Sequence, residues 1–292
     1  MEPFQLMHIS VTNSCEVQPH EKTVSILGCG WFGFALAKAL IKDGFQVYGS
    51  TTTPEKAERL ETEGIKPFVI LSTREGISES GDFFDASVLI IAIPPGRKPE
   101  STAQYPEKIS SIRDAALNGL VRKLIFISST SVYGDLNVEF SEKDPPSPET
   151  ASGQSMVKAE NILQQSPLQT TVIRFAGLVG PGRDPGRFFA GKTNIPNGRA
   201  PVNLIHLDDC VGLTQAVISN QLFGHTFNAV APHHPSKQEF YTQATNNSRL
   251  SPAHFIDELS VWKKVATNRI PDPLPYNFKV ADWNDWLSAG KL

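Results

Sequence analysis

Three glycines lie close together where an apolar run gives way to a helical pattern. Gly28, Gly30 and Gly33 follow a predicted strand over 23–27 and precede a helix predicted over 32–43. In this arrangement the first glycine allows a tight turn, the second lets backbone approach a pyrophosphate, and the third lets the helix pack against the strand. The N–H groups that begin the helix then face the phosphates. The spacing therefore predicts a dinucleotide site, which also includes the two residues between the second and third glycines, Trp31 and Phe32.

The residues after the second predicted strand bear on the choice of dinucleotide. An acidic residue at this position binds the ribose 2′-hydroxyl of NAD, whereas hydroxyl and basic groups suit the 2′-phosphate of NADP. This chain has Ser50, Thr51 and Thr52 there, followed by Lys56, and no carboxylate at the strand tip. The sequence therefore favours NADP, with NAD possible. Alternatively, these hydroxyls only cap the helix that begins at Pro54.

Apolar runs alternate with helical patterns through the first two thirds of the chain. The predicted strands are 24–27, 46–48, 67–71, 88–93, 123–128 and 170–174, and the predicted helices are 32–43, 54–63, 105–120 and 150–165. Several strands are continuous runs of valine, isoleucine and leucine, which is typical of parallel strands covered by helices on both faces. The order predicts an α/β protein with a Rossmann-type, doubly wound parallel sheet.

The amino-acid composition of the sequence changes at two places, and these divide the chain into three parts. Residues 1–21 are polar and lack the basic start and apolar run of a signal peptide, so we expect an N-terminal extension. Residues 22–177 are predicted to form the nucleotide-binding domain. Residues 178–292 are rich in proline and aromatic residues, and we expect them to return to the sheet and form a small C-terminal substrate-binding lobe.

Composition excludes several classes of partner. The 292 residues include 27 basic and 30 acidic ones, a formal net charge of −3, which indicates neither nucleic acid nor a membrane surface as a partner. No apolar stretch approaches the roughly 20 residues of a membrane helix. Cys15, Cys29 and Cys210 are widely spaced and form no CxxC pair, so no disulfide framework or zinc site is predicted. We expect a cytoplasmic protein that binds a small-molecule substrate and no metal.

Four segments resemble one enzyme family, in that family's order. The segments are Phe126–Asp135, which reads Phe-Ile-Ser-Ser-Thr-Ser-Val-Tyr-Gly-Asp, then Arg174–Gly182, Val202–Asp209 and Thr226–Asn228. They resemble signatures of the extended short-chain dehydrogenase/reductases, the NAD(P)-dependent epimerase/dehydratase group, over about residues 22 to 235. Atypical bacterial members of that group share the GxGxxG spacing. The resemblance implies an oxidoreductase that acts on a hydroxyl or carbonyl group of a sugar-like compound.

The chain departs from this family at the pair of residues that carries the chemistry. The family uses a Tyr-x-x-x-Lys pair, in which the tyrosine acts as acid and base and the lysine lowers its pKa and binds the nicotinamide ribose. One alignment puts Ser152 and Met156 at these positions, and a shift of two residues puts Gln154 and Lys158 there. Neither alignment restores the pair.

The resemblance assigns roles to several other residues. Ser129 falls on the substrate-orienting serine, although a serine there could simply close the strand, and Ser152 is the candidate proton donor. Ile93 and Pro94 fall where the backbone of relatives runs along the cofactor ribose. Arg97, three residues further on, could bind a phosphate.

Cations in the segment that relatives fold over the substrate suggest an anionic substrate. Arg183 and Arg187, with Lys192 and two phenylalanines nearby, suit a phosphate or a carboxylate, or else belong to a solvated loop. Further along the chain, Asp208 or Asp209 is predicted to cap the helix that begins there.

Two functions remain open at this point. The first is an epimerase/dehydratase-like oxidoreductase that uses NADP(H). The second is a catalytically silent NADP(H) redox sensor or regulatory protein that works through a partner, as the missing pair suggests. A homodimer is also possible, because relatives pair the helices near 105–120 and 150–165. The apolar residues that could form such a surface are Ile109, Ile112, Ala116, Leu120, Met156, Ile162 and Leu163.

Overall fold

The computed structural model describes residues 22–74, 76–78, 81–96 and 98–290. The N-terminal extension and Arg97 lie outside the described residues. The strands are β1 Thr23–Leu27, β2 Gln46–Thr51, β3 Lys66–Val69, β4 Val88–Ile91, β5 Lys123–Ser129, β6 Val138–Phe140, β7 Gln169–Phe175, β8 Gly177–Val179, β9 Leu204–His206, β10 Thr226–Ala229 and β11 Lys263–Val265. The helices are α1 Trp31–Lys42, α2 Pro54–Glu61, α3 Pro99–Ala103, α4 Tyr105–Asn118, α5 Ala151–Gln164, α6 Gly186–Phe189, α7 Leu207–Ser219, α8 Lys237–Asn247 and α9 Trp283–Ser288. No helix among the described residues is both long enough and apolar enough to cross a bilayer.

Seven parallel strands form the central sheet, in the order β10-β7-β5-β4-β1-β2-β3. All residues of β4 are buried, as expected for a strand covered on both faces. The predicted fold class is confirmed. The strand order reverses between β1 and β4, and ligands of such sheets bind in the crevice at the carboxyl ends of the strands beside this reversal. The glycine turn after β1 and residues 92–95 after β4 lie at that crevice.

A buried ion pair connects the strands on one side of the crevice to α5. The Arg174 guanidinium of β7 donates from Nε and Nη2 to the two carboxylate oxygens of Glu160, at 3.0 and 2.6 Å. Ser128, near the end of β5, donates its hydroxyl to the same carboxylate at 2.5 Å. Arg174 also donates to the hydroxyl of Tyr133 at 2.6 Å. Because all four side chains are buried, they determine how α5 lies against β5 and β7.

The C-terminal residues pack into a second apolar core and form hydrogen bonds with α7. Phe240, Trp283 and Leu287 are buried in this second core. Asp209 accepts hydrogen bonds from the Tyr276 hydroxyl at 2.8 Å and from the N–H groups of residues 279 and 280, at 2.6 and 3.1 Å.

The predicted helix cap at Asp208 or Asp209 is wrong. His206 is the N-cap of α7, and its Nδ1 accepts the N–H of Asp208. Asp209 points away from the helix start because its buried carboxylate binds the C-terminal segment.

Helices α4 and α5 lie side by side, and most of their apolar residues are used within the subunit. Of the residues predicted to form a dimer surface, five are buried here: Ile109, Ile112, Ala116, Met156 and Leu163. Leu120 is 46 % exposed, and Ile162 is partly buried. The homodimer stays a prediction, with only these two apolar side chains of the set available to a partner.

Substitution Glu160→Gln is expected to destabilise the protein by about 3–5 kcal/mol, because it leaves a buried guanidinium without its countercharge. Urea denaturation gives the free energy of unfolding. Lys158→Ala is the matched control, since Lys158 is exposed on the same helix and should change stability by less than about 0.5 kcal/mol. Equal losses in the two variants would mean that the buried pair does not stabilise this part of the fold.

Candidate active site

The glycine turn has the geometry that its spacing predicts. Gly28 has a φ of +103°, which a residue with a side chain rarely adopts. A Cβ on Gly33 would collide with the carbonyl oxygen of Gly28, so only glycine lets α1 come this close to the end of β1. A Cβ on Gly30 would meet no heavy atom within 4 Å. The space beside Gly30 is therefore open to a ligand, at the N-terminus of a helix that no side chain caps.

Ser50 holds this turn in place. Its hydroxyl oxygen accepts the N–H of Gly28 at 2.9 Å, and its carbonyl oxygen accepts the N–H of Cys29 at 2.9 Å. Ser50 is 3 % exposed, so this buried residue forms its hydrogen bonds with the glycine turn. Burial raises the pKa of the Cys29 thiol to about 12, which keeps that side chain uncharged at neutral pH.

A cavity of about 490 Å³, here called the α2 cavity, lies between the glycine turn and α2. It is lined by Thr51 and Thr52 at the end of β2 and by Lys56 and Arg59 of α2. Arg59 also lies over the ring of Phe34, 4.7 Å from its centroid. No carboxylate belongs to this lining among the described residues. Sequence reasoning missed Arg59, although its spacing from Lys56 on the predicted helix puts both on one face.

A second cavity of about 490 Å³, the α5 cavity, lies on the other side of the glycine turn. Its polar lining includes Ser129 at the end of β5 and Ser152 in the first turn of α5. Ser129 accepts the N–H of Ser131 at 3.1 Å. A Cβ on Gly153 would lie 2.5 Å from the carbonyl oxygen of Ser131, so α5 begins against this turn and Ser152 faces the same cavity.

The two cavities adjoin at the glycine turn, since Gly28, Gly30 and Trp31 line both, and together they are here called the groove. Of the residues predicted to bind the cofactor, the α5 cavity is lined by Gly28, Gly30, Trp31, Phe32, Gly33, Ile93 and Pro94. The α2 cavity is lined by Ser50, Thr51 and Thr52, with Gly28, Gly30 and Trp31 again. The predicted cofactor residues thus all line the groove.

The structure distinguishes the two alignments of the missing pair. Met156 is 4 % exposed and lines the α5 cavity together with Ser152. Gln154 and Lys158 are exposed and are not part of that lining. Among the described residues, no tyrosine or lysine lines the α5 cavity. Tyr133 lies nearby but is buried, accepts a hydrogen bond from Arg174 and has its pKa raised by burial.

The two arginines predicted to bind substrate lie in different surroundings. Arg183 lines the α5 cavity, and its guanidinium carbon lies 4.3 Å from the ring centroid of Trp31. The side chain of Arg187 is 81 % exposed, pairs with Asp184 at 3.6 Å and does not line the groove. The structure therefore brings only Arg183 to the site.

Histidines and acidic residues do not gather into a metal site in the described part of the chain. His233 accepts the N–H of Trp283 at 3.1 Å, and His234 contacts the carbonyl oxygen of Val202. His233 thus joins α9 to the residues after β10, and His234 joins those residues to Val202.

Comparison with known proteins agrees with this geometry. A family model described as NAD(P)H-binding matches residues 28–202. Protein YeeZ of Escherichia coli strain K12 is 37 % identical over 267 residues, which cover 89 % of this chain and 97 % of YeeZ. The chain therefore belongs to this NAD(P)H-binding family.

Solved structures extend the likeness to the whole fold. A functionally unknown conserved protein from Silicibacter pomeroyi has a TM-score of 0.73 at 24 % identity, covering 91 % of this chain and 97 % of that one. A UDP-glucuronic acid 4-epimerase from Bacillus cereus, in complex with NAD, has a TM-score of 0.71 at 20 % identity, covering 91 % and 94 %. The fold is that of the NAD-dependent epimerase/dehydratases and the short-chain dehydrogenase/reductase superfamily.

Substitution Gly30→Asp is expected to abolish nucleotide binding while the protein stays folded. Aspartate is a favoured N-cap residue, and the added Cβ has free space, so the free energy of unfolding should not fall. The new carboxylate would lie against the pyrophosphate, so the affinity for NADPH and NADH should drop by at least about a hundredfold. Titration of nucleotide fluorescence measures the affinity, and urea denaturation measures the stability.

Gly33→Ala is the matched comparison. Its Cβ would collide with backbone, so this variant should lose about 1–3 kcal/mol of stability as well as nucleotide affinity. Wild-type nucleotide affinity in Gly30→Asp would contradict the assignment of the phosphate site.

Proposed function

We propose that the protein is an NADP(H)-dependent, epimerase/dehydratase-like oxidoreductase that acts on a hydroxyl or carbonyl group of a sugar-like or anionic compound. One observation carries the proposal. Two cavities adjoin at the open N-terminus of α1: the α2 cavity is lined by hydroxyl and cationic groups, and the α5 cavity is lined by Ser129 and Ser152.

In such a reaction the protein's own residues would bind the nucleotide, orient the substrate and transfer a proton. The backbone at Gly28, Gly30 and Gly33 would hold the pyrophosphate, and a nicotinamide supplies hydride transfer when it is bound. Ser129 would orient the substrate oxygen by a hydrogen bond. Ser152 would pass a proton to or from that oxygen, directly or through water. A serine hydroxyl without an activating lysine is a weak acid, so we expect slow turnover.

Charge in the α2 cavity supports NADP(H) over NAD(H). Lys56 and Arg59 lie one turn apart on α2, beside the hydroxyls of Thr51 and Thr52. Two cations and two hydroxyl groups suit a 2′-phosphate. A carboxylate, which would suit the 2′-hydroxyl of NAD, does not occur among the described residues of this lining.

Wild-type protein is expected to bind NADPH more tightly than NADH. The double substitution Lys56→Ala with Arg59→Ala removes both cations. It should weaken NADPH binding by about ten- to a hundredfold, because each substitution removes a charged hydrogen bond to the 2′-phosphate. NADH binding should change little. Lys42→Ala is the charge-matched control, since Lys42 is exposed at the end of α1 and outside the groove. Equal wild-type affinities for the two nucleotides, or a preference for NADH, would contradict the proposed cofactor.

A second function, that of a catalytically silent NADP(H) sensor, is favoured by one specific observation. Met156 lines the α5 cavity at the position that the resemblance aligns with the family's lysine, so an apolar side chain takes the place of a cation there. A methionine can neither lower the pKa of a neighbouring hydroxyl nor donate to a ribose. A sensor needs only to bind the nucleotide, and the glycine turn suffices for that.

Installing the family's pair should separate the two functions. In a vestigial enzyme, Ser152→Tyr with Met156→Lys should raise NADP-dependent turnover by up to about 10²- to 10⁴-fold, the usual contribution of general acid–base catalysis. UDP-glucuronic acid is a suitable probe, because the name of a structural neighbour indicates it. In a sensor, the double variant should change nothing.

The other alignment supplies the control. Gln154→Tyr, with the natural Lys158, restores the same pair on the exposed face of α5 and should have no effect on turnover. Family-level turnover in the wild type that survives both Ser129→Ala and Ser152→Ala would contradict the placement of the reacting groups.

A further inference from the structure

A turn from the segment that follows the nucleotide-binding sheet lies directly against the first residue of α1. Pro181 and Gly182 occupy the centre of a β-turn, closed by the N–H of Arg183 donating to the carbonyl oxygen of Gly180 at 2.8 Å. Gly182 has a φ of +76°, as the third position of a type II turn requires. The Trp31 indole donates its Nε1–H to the carbonyl oxygen of Pro181 at 2.6 Å. We call residues 180–183 the clasp turn.

The clasp turn places the guanidinium of Arg183 at the N-terminus of α1. The Arg183 guanidinium stacks over the Trp31 ring, with its carbon 4.3 Å from the centroid. Trp31 is the first residue of α1, and Gly30 caps that helix without a side chain. The first-turn N–H groups and the guanidinium therefore border the same open space beside Gly30.

Arg183 has no countercharge in the described part of the chain, where no carboxylate lies within 4 Å of its guanidinium. The neighbouring Asp184 is engaged elsewhere: it accepts the N–H of Gly186 at 2.7 Å and the hydroxyl of Ser248 at 2.8 Å, and it pairs with Arg187. The described linings of both cavities contain no aspartate or glutamate. A stacked arginine facing a groove without carboxylates is suited to bind an anion that enters from outside.

We infer that Arg183 binds the pyrophosphate of the nucleotide, and that the clasp turn holds the dinucleotide against α1. This inference rests on the proposed function and replaces the substrate-binding role that the sequence suggested for Arg183. The planar guanidinium can donate two parallel hydrogen bonds to phosphate oxygens while it stays on the indole. Because the clasp turn leads directly into α6 and the C-terminal lobe, nucleotide binding then also positions that lobe.

The test compares nucleotides with and without a pyrophosphate. Arg183→Ala should weaken the binding of NADPH and of NADH by about ten- to a hundredfold, the usual loss of charged hydrogen bonds. Arg183→Lys keeps the charge but not the planar fork, so its affinity should be intermediate. Adenosine 2′-monophosphate lacks the pyrophosphate, and its affinity should be the same in Arg183→Ala and the wild type. Arg199→Ala is the control, because it removes an exposed arginine that pairs with Asp257 away from the groove.

Two results would overturn the inference. One is an Arg183→Ala variant that binds NADPH and NADH as the wild type does. The other is an equal loss of affinity for the dinucleotides and for adenosine 2′-monophosphate, which would indicate a structural role. A wild type that prefers NADH overturns only the proposed cofactor, because both dinucleotides contain the same pyrophosphate and Arg183→Ala still decides the role of Arg183.

Discussion

The contact between Gly33 and the carbonyl oxygen of Gly28 determines the geometry of the whole site. Because Gly33 has no side chain, α1 begins directly at the end of β1, and its first N–H groups form the floor of the groove. The same contact places Trp31 where the Pro181 carbonyl oxygen can accept its indole N–H. A single close approach of two backbone segments thus connects the central sheet, the phosphate site and the segment that leads into the C-terminal lobe.

A buried ion pair has the corresponding role at the other end of the groove. Glu160 and Arg174 hold α5 against β5 and β7, which turns Ser152 and Met156 toward the cavity and Gln154 and Lys158 toward solvent. The residues that face the cavity, Ser152 and Met156, are thus the ones that the sequence resemblance aligns with the family's Tyr-x-x-x-Lys pair. Such a site can bind and orient a nucleotide fully while its capacity for acid–base chemistry is small.

Charge is distributed unevenly along the groove. Lys56 and Arg59 lie on one side of the glycine turn and Arg183 on the other, while the described cavity linings contain no carboxylate. This arrangement complements a ligand that carries phosphates at two separate places. An oxidoreductase and a sensor would both need such a nucleotide-binding surface, and only the oxidoreductase would also need proton transfer at Ser152.

The sequence by itself determined the fold class and the glycine turn after β1, because both depend on local patterns: apolar runs at strand length and glycines at fixed spacing before a helix. It could not choose between two alignments of Ser152 and Lys158, since both are compatible with a helix and only packing decides which face is buried. It assigned Asp208 or Asp209 to a local cap, whereas the partners of the Asp209 carboxylate lie about 70 residues away. It also grouped Arg183 with Arg187 because they are close in sequence. Only the tertiary structure separates them, since Arg183 stacks on Trp31 and lines the α5 cavity, whereas Arg187 pairs with Asp184 outside it.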